Sequence, residues 1–346
     1  MVKQLWRSGL RGSLFFLCMA SAVAALAAPP ASAPAAPSTD GPAASSLDVA
    51  QWIARMHQAS LQRSYTGTFV VLSSSGAMAS SRIWHACDGQ QQIERVDALS
   101  GPQRTVFRRG EEVRTFLPQS RTVHTMERRD APGRFPPVAL SVDGLDLARY
   151  YTARPLGQER VAGLVADVVW FQPQDGLRYG YRVWSEHASG LALKLQTVGA
   201  DGRVLEQAAF SQLDLETPVP LALLAQAMDN LAGYRVVPVA LEPTTAAAEG
   251  WVLREPVPGF VPVSCYRREA EAGGMLQCLY SDGLATVSLF LERFDARRHP
   301  SAAQQMALGA THTLGQRITQ DTWFTAVGEV PAQTLQQFAR QWQRVR

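Results

Sequence analysis

The sequence predicts an α+β protein of two domains, in which antiparallel β-sheet dominates. Three successive runs of strand length support this, Leu164–Phe171, Arg178–Trp184 and Leu191–Val198. The last two alternate between two kinds of side chain, the period-two pattern of a strand with one buried face. The pair Asp175-Gly176 lies between the first two runs, and Asp-Gly supplies the positive φ that tight turns require. Few helical stripes interrupt the strands.

The first 27 residues are typical of a cleaved signal peptide. A basic stretch precedes the apolar run Ser13–Leu26, and Ala25-Leu26-Ala27 forms the cleavage motif. The apolar run is too short for a membrane span, and no later run approaches the required length. Residues 28–46 are mostly alanine, proline and serine, which predicts a disordered leader. We therefore expect a soluble chain exported to the periplasm.

Residues 47–215 are predicted to form the larger domain, a helix followed by a meander of strands. The helix is expected from apolar residues at i, i+3, i+4 and i+7, starting at Val49, with Ser46 as the N-cap. Pro132–Tyr151 interrupts the strands, and a loop of this length is often a lid or binding segment. Besides the three central runs, strands are expected at Tyr65–Leu72, Arg82–Ala86, Gln92–Val96, Arg104–Arg108, Glu112–Leu117, Arg121–Thr125 and Arg203–Phe210.

Residues 216–250 are predicted to be a linker with one helix, and residues 251–346 a smaller α/β domain with an antiparallel sheet. A last helix is expected after Pro331, where Leu335, Phe338, Ala339 and Trp342 form an apolar stripe. The strands expected here are Trp251–Arg254, Pro262–Arg267, Met275–Ser281, Leu284–Phe294, a short one near Arg317–Ile318, and Trp323–Val327.

Charge and motifs argue against several functional classes. The net charge of +3 is too small to indicate a nucleic-acid partner. The sequence contains no H-E-x-x-H, no G-x-S-x-G, no Walker loop and no G-x-G-x-x-G after a strand. We therefore expect no catalytic residues, no metal site and no cofactor, and a protein that is not an enzyme.

Three cysteines remain after removal of the signal peptide. Cys265 and Cys278 close a short loop within one predicted hairpin, so in an oxidising compartment they are the expected disulfide. Cys87 then remains unpaired, and no C-x-x-C motif accompanies it.

Aromatic side chains are concentrated on the predicted strands. Each one alone is explained by an ordinary core packed against the first helix. Together, on a strongly curved sheet with few helices, they favour an apolar cavity that accepts acyl chains. Alternation does not separate these two interpretations. The lipid-pocket candidates are Phe69, Trp84, Phe107, Phe116, Trp170 and Tyr181.

The chain resembles the RseB/MucB family of periplasmic regulators of the sigma-E envelope-stress response, from about Leu47 to Val327. The resemblance follows the family's order through both domains, whereas the cysteine pair and the alanine-proline leader are departures from it. The blocks that carry it are SYTGTFVVL (64–72), RIWHACDG (82–89), ERVDALSGPQRTVFR (94–108), ERVAG (159–163), PQDGLRYGYRVW (173–184), SGLALK (189–194), VLEQAAF (204–210), WVLREPVPGF (251–260) and LYSDGLATVSLFLE (279–292).

The resemblance implies a first domain folded like LolA and LolB, a curved, unclosed antiparallel half-barrel with helices on its concave side. It also implies binding to the periplasmic domain of the anti-sigma factor RseA, protection of RseA from regulatory proteolysis, and release by lipid or lipopolysaccharide. The alternative is a periplasmic lipid or lipoprotein carrier of the LolA type. A homo-oligomer stays open. Because arginine and tyrosine are enriched in interfaces, Arg267, Arg268 and Tyr280 are the partner-binding candidates.

Overall fold

The computed structural model describes residues 47–127, 146–268 and 274–345. The predicted signal peptide and the whole predicted leader, residues 28–46, lie outside the described residues, as does most of the predicted loop Pro132–Tyr151. Within the described part, no helix is both long enough and apolar enough to cross a membrane.

A twelve-stranded sheet fills the first part of the chain. Its order is β12-β6-β5-β4-β3-β2-β1-β11-β10-β9-β8-β7, antiparallel except where β12 joins β6. Because β12 and β7 each pair on one side only, the sheet is not closed, which confirms the predicted open antiparallel sheet. Its strands are β1 (Tyr65–Ser73), β2 (Met78–Cys87), β3 (Gln92–Ala98), β4 (Thr105–Arg109), β5 (Glu112–Leu117), β6 (Thr122–Glu127), β7 (Tyr151–Val161), β8 (Leu164–Pro173), β9 (Gly180–Glu186), β10 (Ala192–Val198), β11 (Val204–Asp214) and β12 (Arg235–Pro238).

Two helices, α1 (Val49–Gln62) and α2 (Leu221–Asp229), pack on this sheet. The predicted stripe of α1 is buried, but its N-cap is Asp48 rather than Ser46, because Asp48 and Gln51 form a capping box. The stripe covers residues such as Tyr181 and Val183. We call this surface the α1 face.

Helix α2 packs instead against Ala86, Ile93, Phe107, Phe116 and Val123. The strand register shows that α1 and α2 cover opposite faces of the sheet. Ala86 and Ile93 pair directly beneath α2, and they lie on the side opposite to Ile83, which belongs to the core on the other side. We call this second surface the α2 face. The family resemblance implies helices on one side, whereas the structure places one helix on each face.

A seven-stranded antiparallel sheet follows, in the order β13-β15-β16-β17-β20-β19-β18, and α3 (Ala332–Gln341) packs against it. A small ribbon pairs β14 with β21. The strands are β13 (Glu242–Thr244), β14 (Trp251–Leu253), β15 (Val261–Arg268), β16 (Met275–Ser281), β17 (Thr286–Arg293), β18 (Gln304–Leu308), β19 (Thr311–Arg317), β20 (Thr322–Gly328) and β21 (Trp342–Arg344).

Most predicted strands coincide with observed ones, and three differences stand out. Strands β7 and β18 were not predicted. Residues 216–250, predicted as a linker, contribute α2 and β12 to the first sheet and β13 to the second. This segment is therefore built into both sheets rather than running free between them.

Candidate functional site

The connection between β8 and β9 reaches into the second sheet, and Arg178 is its central residue. The Arg178 guanidinium donates to the Asp175 carboxylate at 2.9 Å, to the Pro258 carbonyl at 2.7 Å and to the Asp282 carboxylate at 2.6 Å. The side chains of Arg178 and Asp282 have no exposed surface. A buried ion pair of this kind requires good geometry and additional hydrogen bonds to offset its desolvation.

Asp282, in the turn between β16 and β17, meets those requirements. One carboxylate oxygen accepts the backbone N–H groups of Leu284 at 2.9 Å and Ala285 at 2.7 Å. The other accepts the Tyr151 hydroxyl at 2.9 Å and the Arg178 guanidinium. Four donors thus occupy the acceptor sites of one carboxylate. Burial, with the nearby Asp282 carboxylate, raises the pKa of Tyr151, so this hydroxyl keeps its proton and remains a donor.

Aromatic rings and one glycine enclose the guanidinium. Its central carbon lies 4.5 Å from the ring centre of Tyr150 and 5.2 Å from that of Phe260, within cation–π range. Gly259 has a φ of +81°, and a Cβ there would stand 2.8 Å from an Arg178 nitrogen. The backbone approaches this closely only because residue 259 has no side chain.

Further contacts tie the same connection to the second sheet. The Thr334 hydroxyl on α3 donates to the Leu177 carbonyl at 2.7 Å, and Gln333 donates to the Gly176 carbonyl. The Tyr179 hydroxyl lies 3.1 Å from Nδ1 of His312 on β19. We call the contacts of residues 174–179 and Tyr151 with the second sheet the joint.

A cavity of about 50 Å³ lies between the α1 face and the second sheet. Its apolar wall includes Tyr181, whose buried hydroxyl has no hydrogen-bond partner within the described part of the chain, and its far side includes Glu329. Burial, together with the neighbouring Glu206 carboxylate, raises the pKa of Glu329 to about 7. The volume holds a few water molecules but not an acyl chain. The whole lining is Phe171, Tyr181, Val183, Leu195, Leu284, Thr286 and Glu329.

The six lipid-pocket candidates separate between the two faces of the large sheet. Strand register places four on the α2 face, namely Trp84, Phe107, Phe116 and Trp170. Phe107 and Phe116 are buried beneath α2, whereas Trp84 and Trp170 are half-buried. Phe69 and Tyr181 lie on the α1 face, in core contacts with Phe210 and Tyr151 respectively. The candidates therefore do not surround one common cavity; Tyr181 is a core residue, and Phe69 is partly buried against the core.

Comparison with known proteins assigns the chain to a family. Residues 48–228 match the MucB/RseB N-terminal domain, and residues 245–343 match the MucB/RseB C-terminal domain. The chain belongs to the MucB/RseB family. This confirms the resemblance found in the sequence.

Individual members of the MucB/RseB family are similar over most of the chain. The sigma factor AlgU regulatory protein MucB of Pseudomonas aeruginosa is 30% identical, covering 84% of this chain and 90% of that protein. The sigma-E factor regulatory protein RseB of Escherichia coli K12 is 27% identical, covering 98% of this chain and 97% of that protein. A crystal structure of MucB in complex with MucA(peri) has a TM-score of 0.66 at 25% identity, covering 86% of this chain and 100% of that chain. MucB crystallised by itself has a TM-score of 0.59, covering 85% of this chain and 97% of that chain.

The partner-binding candidates of this MucB/RseB chain differ in exposure. Arg267 has a half-exposed side chain and donates to Glu249 at 2.7 Å. Arg268 ends β15 and is partly exposed. Tyr280 is only 5% exposed and packs against Phe338 and Trp342 in the second core. Burial in that core rules out a surface role for Tyr280 in this conformation, so that expectation is corrected.

The cysteines occupy different environments in the MucB/RseB chain. Cys265 and Cys278 face each other across β15 and β16, and their sulfur atoms are bonded at 2.03 Å. Cys87 is half-buried at the end of β2 and lies 3.7 Å from the Ser64 hydroxyl. Over the ranges that the structure describes, no group of three or more histidine, cysteine or acidic residues is arranged to hold a metal ion.

Sequence reasoning did not find the joint. Asp282 belongs to the Asp-Gly pair Asp282-Gly283 between two predicted strands, and its carboxylate accepts the N–H groups of Leu284 and Ala285 in that turn. Its second role depends on Arg178, which is 104 residues away. The one local signal was an arginine, Arg178, two residues after the pair Asp175-Gly176 and directly before Tyr179.

Proposed function

We propose that this chain is a negative regulator of the sigma-E envelope-stress response, which binds the periplasmic region of a membrane anti-sigma factor of the RseA kind. Bound there, it shields the anti-sigma factor from regulatory proteolysis. The observation that carries the proposal is the extent of the family match, since both family models align in order along the chain. A non-enzymatic binding role also agrees with the lack of catalytic motifs in the sequence.

The solved relatives support the binding step. The structure of this chain is closer to MucB in complex with MucA(peri), with a TM-score of 0.66, than to MucB crystallised by itself, with a TM-score of 0.59. We infer that the arrangement held by the joint is the one that accepts the partner. Arg178 and Asp282 would then stabilise the binding-competent arrangement rather than contact the partner.

Lipid or lipopolysaccharide would release the anti-sigma factor if it favoured an arrangement of the two sheets other than the one held by the joint. A ligand shifts an equilibrium only through its different affinity for the two states, and the linkage is reciprocal. The α2 face offers a surface for an acyl chain, because Trp84 and Trp170 are half-buried there and each buried methylene contributes ~0.8 kcal/mol. Arg82 and Arg95 stack on Trp84 and add positive charge beside it.

The site of action would be the periplasm. The predicted signal peptide would export the chain, and the disulfide between Cys265 and Cys278 suits an oxidising compartment. The relatives named as sigma-E and AlgU regulators support the same location.

Isothermal titration calorimetry with the purified periplasmic region of the cognate anti-sigma factor tests the proposal. We expect a Kd of about 1 μM or tighter, which corresponds to roughly −8 kcal/mol. Addition of lipopolysaccharide should weaken this binding, and the complex should resist the first regulatory protease. If the folded chain gives no detectable heat and no protection from proteolysis, the proposal is wrong.

A further inference from the structure

The α2 face carries two buried polar atoms for which the described residues provide no hydrogen-bond partner, the Arg182 Nε atom and the Gln196 Oε1 atom. Arg182 on β9 and Gln196 on β10 are directly opposite each other in the register. The Gln196 amide nitrogen donates to the Gln207 side chain at 2.7 Å, so only its oxygen is left without a partner there. An unsatisfied buried donor or acceptor costs about 1–3 kcal/mol. Two such atoms on one patch therefore require an explanation.

Lys194 adds a second cation to this patch. It lies two residues from Gln196 on β10, and its ammonium group stands 4.0 Å from the ring centre of Trp184. Burial lowers the pKa of Lys194, and the positive charge of Arg182 lowers it further. The two cations thus lie close enough to repel each other. We call Arg182, Lys194 and Gln196 the Arg182–Lys194 cluster.

The carboxylates on the same part of the α2 face do not neutralise the cluster fully. Glu159 on β7 accepts the Trp184 indole N–H at 2.7 Å and attracts Lys194. Glu186, at the end of β9, accepts the backbone N–H groups of the following turn instead. The exposed Arg154, opposite Trp170, adds another positive charge. The patch therefore keeps an excess of positive charge beside two tryptophans.

We propose that the Arg182–Lys194 cluster binds a phosphate monoester group. A guanidinium and an ammonium attract anionic oxygens, and arginine in particular matches phosphate geometry. The unsatisfied Gln196 oxygen needs a donor, which a phosphate monoester supplies because its second pKa is about 6 and part of the population keeps one hydroxyl. A carboxylate of an ordinary fatty acid would be ionised and offer no donor.

The source of the phosphate is either a free phosphate compound or the head group of an amphiphile. The amphiphile version rests on the proposed lipid response, since Trp170 lies directly opposite Arg182 and continues the apolar surface toward the edge of the sheet. The phosphate would then fix one end of the ligand while its chain lies along the aromatic side chains of the α2 face.

Calorimetric titration of the mature chain with dodecyl phosphate, below its critical micelle concentration, tests this. Wild type should bind, and Arg182→Gln and Lys194→Gln should each weaken binding at least about tenfold. Glu159→Gln should tighten it, because removal of that carboxylate frees Lys194; loss of folding cannot produce tighter binding. Arg203→Gln, at an exposed residue directly before β11, is the matched control and should leave binding unchanged.

Parallel titrations separate the sources of the phosphate. In a competition titration, displacement of dodecyl phosphate by an equal concentration of inorganic phosphate indicates a site for free phosphate compounds. Displacement only by a large excess of inorganic phosphate indicates a site for the head group of an amphiphile. Either result supports phosphate binding by the Arg182–Lys194 cluster. Dodecyl maltoside or dodecanoate that binds as tightly as dodecyl phosphate overturns the proposal, as do unchanged affinities of both cluster variants. Binding of the variants to the anti-sigma factor, measured without lipid, should stay normal, which keeps this test separate from that of the proposed function.

Discussion

The guanidinium of Arg178 lies 2.6 Å from the carboxylate of Asp282, and neither side chain reaches solvent. The pair joins the β8–β9 connection of the large sheet to the β16–β17 turn of the second sheet. Buried charges of this kind contribute little net stability when paired but cost a great deal when one partner is lost. The arrangement of the two sheets therefore depends on this pair being intact.

Replacement of Arg178 by methionine should lower the free energy of unfolding by about 3–5 kcal/mol, because the Asp282 carboxylate is left buried without its counter-ion. Urea denaturation followed by tryptophan fluorescence measures this loss. The double variant Arg178→Met, Asp282→Leu should recover part of it, since no unpaired charge remains. Arg203→Met, at an exposed position, is the control and should change stability by less than about 0.5 kcal/mol. A loss below about 1 kcal/mol for Arg178→Met would show that the pair does not hold the joint.

Gly259→Ala should destabilise the chain more than Gly250→Ala does. Both glycines have similar positive φ values, +81° and +77°, so both variants incur the left-handed backbone cost of about 1–2 kcal/mol. Only at Gly259 would the new Cβ meet other atoms, at 2.8 and 2.9 Å from the two terminal nitrogens of Arg178. The difference between the two midpoints of denaturation isolates the steric effect on Arg178. Equal midpoints would contradict the close approach described here.

Elements with one buried face were predictable from the sequence, and elements without one were not. Strand β10 buries Leu195 and leaves its neighbours Lys194 and Gln196 only half-buried, and α3 buries Leu335 and Phe338, so each carries a clear period. Strand β7 is exposed along almost its whole length and contains an irregularity between Pro155 and Gly157. Its position at the sheet edge removes the alternation on which prediction depends.

The joint and the Arg182–Lys194 cluster were not predictable for a different reason. Local patterns specify which face of a strand a residue occupies, and Arg182 alternates with Tyr181 and Val183 along β9. The residues that surround Arg182 on its face also come from β7 and β10, and these strands approach β9 only when the sheet is folded. The same limit applies to Asp282, whose partner lies 104 residues away.

Oxidised protein prepared from the periplasm should contain one free thiol under denaturing conditions, that of Cys87, because Cys265 and Cys278 are bonded. Titration with Ellman's reagent in guanidinium chloride measures this number. The double variant Cys265→Ala, Cys278→Ala should lose roughly 2–3 kcal/mol of stability, since a loop of this length constrains the unfolded chain by about that amount. Cys87→Ser is the control and should keep the disulfide. Three reactive thiols in the wild type would contradict the pairing.

The free energy of unfolding should fall as pH rises from about 4.5 to 7, because the pKa of Glu329 is higher in the folded state than in the unfolded state. Burial and the Glu206 carboxylate raise the pKa of Glu329 from 4.5 to about 7. Between these values the folded chain binds the proton that the unfolded chain has released. The folded state then binds more protons than the unfolded state, so the free energy of unfolding decreases with pH from about 4.5 to 7 and is level above that range.

Urea denaturation at pH values between 5 and 8 measures this dependence, and Glu329→Gln isolates it. Two and a half pKa units correspond to at most about 3 kcal/mol, and partial solvent access to the carboxylate reduces the expected loss to about 1–2 kcal/mol. The variant should match or exceed the stability of wild type above pH 7 and lack this part of the slope. Glu216→Gln, at an exposed position, should keep the wild-type slope. Identical slopes for wild type and Glu329→Gln would mean that the Glu329 carboxylate is solvated in the folded chain and that burial does not raise its pKa.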